Sequence, residues 1–222
     1  MNFDTSSEFA QNVSKLIRSR RTAKIVATAE PIHHPHDDAA KNDSEVLKSI
    51  SDAGFAPFHY DRGVNGLAEP WRFYLLKQDE CREIGGQLAS WFPDMRPNNK
   101  LPAMLNACGC LVLVTWLPQF DRATADEKQI QIDEEHLAAT ASATQNLLLS
   151  LTAKNFRTYW SSGGFFRMDE MLDRLKIDRS EKLLSAIFVD YGANEKDVEV
   201  LSGKQHTNRS DRDKWTRVIE LG

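Results

Sequence analysis

Cysteine is scarce in this chain. The three residues among 222, Cys81, Cys108 and Cys110, are too few for a disulfide framework and lack the spacing of a four-ligand zinc site. Cys108 and Cys110 fall in one apolar run and are read as small core residues on one face of a strand. Apolar runs are short as well: the longest, residues 108–117, suits a buried strand and falls below the roughly 18 residues that a bilayer span requires. Positive charge is not in excess either. With 28 Lys and Arg against 32 Asp and Glu the net charge is −4, so no global field recruits nucleic acid or an anionic membrane, and small molecules or a second copy of the chain are the expected partners. The polar, acidic start MNFDTSSEFAQ lacks the cationic and apolar regions of a secretion signal, and the expectation is a chain that begins here and stays in the cytoplasm. No internal repeat and no low-complexity segment interrupts the sequence.

What is present supports one core. A chain of 222 residues with 41% hydrophobic content can bury it as a single domain over residues 1–222, alone or as half of a dimer. Phe9, Val13, Leu16 and Ile17 recur at helical spacing over residues 6–20, with Glu8 early and Lys15, Arg18 and Arg20 late. Residues 29–42 read as a loop, after which Ser44 is placed to cap a second helix that carries Val46, Leu47, Ile50 and Ala53 and stops at Gly54. A turn-rich stretch, 56–70, leads into the strand WRFYLL. Residues 78–91 return to helix, 93–102 form a surface loop and 108–117 the most buried strand. The longest helix is expected over 133–155, with Leu137, Ala141, Thr144, Leu148 and Leu151 on one stripe and enough small residues elsewhere to make it central. A short strand at 157–160, a Ser-Ser-Gly-Gly loop, a helix at 168–175, a strand at 184–191 and a charged tail complete the order α, α, β, α, β, α, β, α, β.

Three constellations can carry chemistry. Arg20-Arg21-Thr22-Ala23-Lys24 places three cations and a hydroxyl just after the first helix, as a phosphate requires, although a solvated basic helix end has the same composition. Ala56-Pro57-Phe58-His59, followed by Pro70-Trp71-Arg72-Phe73, delivers a polar loop to a sheet edge; an ordinary entrance to a strand has the same form. The long helix with Gln145-Asn146-Leu147 leads to Trp160-Ser161-Ser162-Gly163-Gly164, whose hydroxyls and unhindered N–H groups suit a phosphate or a heterocycle edge. His33-His34-Pro35-His36 could bind a metal but is read as an exposed loop, and no metal is expected.

In this order the three constellations resemble the nitroreductase family. RRTAK is similar to its Arg-Arg-Ser-x-Arg/Lys element, APFH and PWRF to its loop beside the cofactor, and the third segment to its Ala-rich helix and Trp-x-Ser/Thr-Gly turn. The resemblance implies an α+β nitroreductase-like, FMN-dependent fold, with a central, mainly antiparallel mixed sheet flanked by helices, in an intertwined homodimer. It implies FMN contacts from Arg20, Arg21, Thr22, Lys24, Pro57, Phe58, His59, Trp160, Ser161, Ser162 and Gly163. Among the tail cations Lys204, Arg209 and Arg212, it favours Arg209 at the phosphate. The implied activity is hydride transfer from NAD(P)H through flavin N5 to a small conjugated acceptor such as a nitroaromatic or a quinone, by ping-pong kinetics. The protein supplies no catalytic side chain beyond an electrostatic role for Lys24. A flavin-dependent dehalogenase or oxidase of the same fold, or a non-catalytic flavin-binding protein, is the alternative. Thr22 stands where Ser is usual, Glu69 replaces Gln or Arg, residues 60–68 look inserted, and Tyr191-Gly192-Ala193 alters the family's closing Gly-Tyr-Pro.

Overall fold

The computed structural model describes residues 6–28, 38–192 and 196–221. The chain runs α1 (Ser7–Ser19), β1 (Ala23–Ala27), α2 (Ala39–Ala53), β2 (Trp71–Lys77), α3 (Gln78–Trp91), α4 (Leu101–Ala107), β3 (Cys110–Trp116), α5 (Glu127–Ala153), β4 (Arg157–Ser161), α6 (Asp169–Arg174), β5 (Lys182–Asp190) and β6 (Val198–Ser202). Its centre is an antiparallel sheet in the order β2-β3-β5-β4, and β1 pairs antiparallel with β6 beside it. A parallel bridge from Thr22 to Thr158 joins the two sheets, so the α+β, mainly antiparallel mixed arrangement expected from the sequence is present.

Alternation along the strands sets the layers. Leu111 and Leu113 of β3 and Phe188 of β5 face one core, packed with α3, α4 and α6 residues such as Leu88, Leu105 and Met171. Val112, Val114, Ile187 and Val189 face the other, packed with Val46 of α2 and Leu147, Leu148 and Leu151 of α5. β3 is therefore apolar at every position from Cys110 to Val114, as a strand covered on both faces must be. The register aligns Trp71 with Trp116 and Trp116 with Lys182, while Ser161 pairs with Ala186, so the start of β2, the end of β3, the start of β5 and the end of β4 meet at one end of the sheet.

Several boundaries differ from the sequence reading. α2 starts at Ala39, so Ser44 lies inside the helix. α5 starts at Glu127, where Asp126 and Gln129 form a reciprocal capping box; Asp133 lies inside it and accepts N–H bonds from Gln119 (2.7 Å) and Phe120 (3.2 Å). The expected surface loop runs into α4, a two-turn helix with Pro at its start, and Cys108 caps that helix instead of entering β3. Cys108 and Cys110 consequently belong to opposite cores, Cys108 with Cys81, and do not share a strand face. The charged tail contains β6 and two 3-10 turns, Lys204–Asn208 and Arg212–Lys214. The 60–68 insertion is a hairpin finger: Leu67 N–H bonds Val64 O, Arg62 N–H bonds Ala68 O, and Asn65 and Gly66 take the positive φ values (56° and 76°) that such a two-residue turn needs. His33, His34, His36 and Ala193 lie outside the described residues.

Candidate functional site

α1 ends where Arg20 N–H bonds Leu16 O, and the extended chain beyond it presents Thr22 and Lys24, two residues apart, on one face. Two cavities flank that face. The first, about 550 Å³, is lined by Arg20, Arg21, Thr22, Gly203 and Arg209. Burial, followed by the neighbouring guanidiniums of Arg209 and Arg21, holds the Arg20 guanidinium below its usual pKa. Like charges held this close destabilise one another until an anion arrives. Arg21 spends part of its side chain at home, since its Nη1 donates to the carbonyls of Arg18 and Arg20 at the end of α1. Thr22 sits close because residue 203 is glycine: a Cβ there would lie 2.9 Å from that of Thr22.

The second cavity, about 450 Å³, lies in line with the first. Lys24 stands 5.4 Å over the ring of Tyr159, beside Lys100 and Asn99, with Ser161, Gly163 and Gly164 closing the side and Met104 and Phe165 supplying apolar wall. Burial and then the Lys100 ammonium lower the Lys24 pKa, so this pocket too favours negative charge. Its turn is shaped by glycine. Gly163 has φ +104° and a Cβ on it would meet Leu183 Cδ2 at 2.3 Å, while its N–H donates to Ser161 Oγ (3.2 Å). Ser162 is exposed and its carbonyl accepts from Arg167 Nε. Lys100 and Asn99 were not among the sequence candidates; a polar loop gives no sign of them, and the packing of α4 against β1 brings them in.

The remaining candidates are elsewhere in the chain. Trp160 points to the opposite face of the sheet from Tyr159, into the core with α2 and α5. Pro57, Phe58 and His59 are exposed on the α5 side, Phe58 edge-on to Trp71 (centroids 5.6 Å) and His59 edge-on to Tyr60 (4.7 Å). One chain thus unites Arg20, Arg21, Thr22 and Arg209 in one cavity and Lys24, Ser161 and Gly163 in the next, but leaves Pro57, Phe58, His59 and Trp160 across the sheet. Among the described residues, no three His, Cys, Asp or Glu side chains converge to hold a metal ion, and no helix is long and apolar enough to cross a membrane.

No family model and no curated protein matches the chain. Solved structures do. A nitroreductase-like family protein from Bacillus cereus is similar at a TM-score of 0.63 and 17% identity, covering 100% of both chains. The nitroreductase CinD from Lactococcus lactis, in complex with nicotinic acid, gives 0.61 at 12% identity over 94% of this chain and 100% of that one. The FMN-dependent nitroreductase NfnB from Mycobacterium smegmatis, in complex with NADPH, gives 0.58 at 15% identity over 96% and 100%. The chain has the nitroreductase-like fold.

Proposed function

We propose that this protein is an FMN-dependent oxidoreductase of the nitroreductase type, working as a homodimer. The observation that carries the reading is the line of two cationic cavities along β1, one with Arg20, Arg21 and Arg209 and the next with Lys24 and Lys100, in a fold whose solved examples include an FMN-dependent enzyme. The donor set fits FMN: guanidiniums and the Thr22 hydroxyl suit a phosphate, and two ammonium groups with the Gly163–Gly164 turn suit the electron-rich edge of the ring. Bound FMN would supply hydride transfer from NAD(P)H to a small conjugated acceptor, such as a nitroaromatic or a quinone.

The chain's own residues would then hold and bias the site. Arg20 and Arg209 anchor the phosphate, helped by Thr22. Lys24 and Lys100 stabilise negative charge at the far end, where Tyr159, Met104 and Phe165 limit water and so strengthen that attraction. Pro57, Phe58 and His59 would reach the site from the second copy, which is why one chain leaves them across the sheet. Two unpaired apolar surfaces support that copy: Phe9, Val13 and Ile17 on α1, and Trp215, Val218, Ile219 and Leu221 near the C-terminus. The protein would act as one domain and in the cytoplasm.

Absorbance of the purified protein tests the proposal. A flavin spectrum bleached by NADH or NADPH is expected, and Arg20→Ala should weaken FMN retention at least about tenfold, since a charged hydrogen bond contributes about 1.5–3 kcal/mol. A colourless protein that takes up no FMN on reconstitution would sink the reading.

A further inference from the structure

Across the sheet from the cationic trough, at the same sheet end, a half-enclosed cavity of about 380 Å³ lies between the strand ends and α5. Its lining follows from register and helical spacing. Trp116 and Lys182 are direct cross-strand partners, and Ile130, Asp133, Glu134 and Leu137 stand at i, i+3, i+4 and i+7 on one stripe of α5. Phe120, held by the bond from its N–H to Asp133, closes the wall. Apolar surface dominates the lining, which also includes the charged residues Asp121, Arg122, Asp133, Glu134 and Lys182.

The charges are of both signs and are unequally engaged. Asp133 receives two backbone N–H groups, and Asp121 receives that of Ala123 at 3.0 Å. Among the described residues, the Lys182 side chain has one hydrogen bond, from Nζ to the Arg179 carbonyl at 3.5 Å, and the side chains of Arg122 and Glu134 have neither a hydrogen bond nor an ion pair. An aromatic, aliphatic interior lined also by two cations and a carboxylate with few side-chain partners matches a small molecule that is apolar in the middle and carries both charges. We propose that this cavity is a second ligand site, distinct from the trough along β1, and that it takes a large apolar α-amino acid. The side chain lies on Trp116, Phe120, Ile130 and Leu137, the carboxylate on Lys182 and Arg122, and the ammonium on Glu134. The volume falls in the range of small-molecule pockets and exceeds what one such side chain fills. The proposal does not depend on the flavin reading.

Calorimetric titration of the full chain, with any bound cofactor in place, separates the possibilities. L-Phenylalanine and L-tryptophan are compared with 3-phenylpropionate and phenethylamine, each of which keeps the ring and one of the two charges. The zwitterions should bind at least tenfold more tightly than either single-charge analogue. Lys182→Met should bring L-phenylalanine down to the level of phenethylamine, and Glu134→Gln to that of phenylpropionate. Ala125→Trp, which fills the cavity from the loop before α5, should abolish binding while leaving the thermal midpoint near that of the parent. Equal binding of all four probes, no binding, or binding that survives Ala125→Trp would each overturn the site. So would binding that appears only after residues 215–222 are deleted, because the chain itself would then be the occupant. The visible absorbance of the same samples reports on FMN independently, so either proposal can fail alone.

Discussion

His136 shows how a single side chain ties stability to pH. It lies on α5 at 1% exposure, with Nε2 3.3 Å from Gln119 Oε1 and its ring edge-on to Tyr60. Burial lowers its pKa below the ordinary 6.5; Asp133 and Glu135 pull it up and Arg62 down, without reversing the sign. Below about pH 6.5 the unfolded chain therefore takes up a proton before the folded one, and stability falls as pH drops through the folded-state value. Above that window the group is neutral in both states. The thermal midpoint should fall more between pH 7 and 5 in the parent than in His136→Gln, and parallel slopes would remove His136 as the cause. At this scale the sequence was legible where one short segment held the whole signal. The segment RRT has a composition suited to a phosphate, and Arg20 and Thr22 line one cavity with Arg209. Lys100 and Asn99 were illegible because their meaning comes from α4 packing against β1, a relation between segments some 75 residues apart.

The elements that escaped the sequence reading share a physical reason: each is too short for its period to register. β1 is five residues and overlaps the cationic motif; β6 is five residues inside a charged tail; α4 has seven, with Pro at its start. The periodicity of α5 registers only from about residue 133, since its first turns carry one apolar residue each; the capping box at Asp126 marks its true start. The finger at 60–68 did have a local signature, Asn65-Gly66 between Val64 and Leu67. Its fixed position comes from elsewhere, because Arg62 donates Nε to Leu117 O (2.9 Å) and Nη2 to Pro118 O (2.8 Å), while Arg72 donates Nη2 to Val64 O (3.3 Å). Arg62→Ala should thus cost about 1–3 kcal/mol by losing charged, half-buried hydrogen bonds, and should make the finger a new protease site. Urea denaturation and limited proteolysis measure both; unchanged cleavage in the finger would show that Arg72 and the turn suffice to hold it.

At the scale of the molecule, the apolar surfaces left open decide the next test. On α1, Phe9, Val13 and Ile17 are 39–54% exposed, and near the C-terminus Trp215, Val218, Ile219 and Leu221 are 70–95% exposed. Seven large side chains in water oppose solubility, at about 25 cal/mol for each Å² of apolar surface that a partner could cover. The proposed FMN site has a matching gap, since Pro57, Phe58 and His59 stand across the sheet from Lys24. One association would cover the first and fill the second. The parent should therefore run at twice its 25.2 kDa mass in light scattering. Val13→Asp, which puts a charge in the middle of the α1 stripe without touching the cavities, should shift it toward single chains and release FMN in proportion. Single chains that keep FMN as tightly as the parent would mean that the site belongs to one chain, and that Pro57, Phe58 and His59 serve something else.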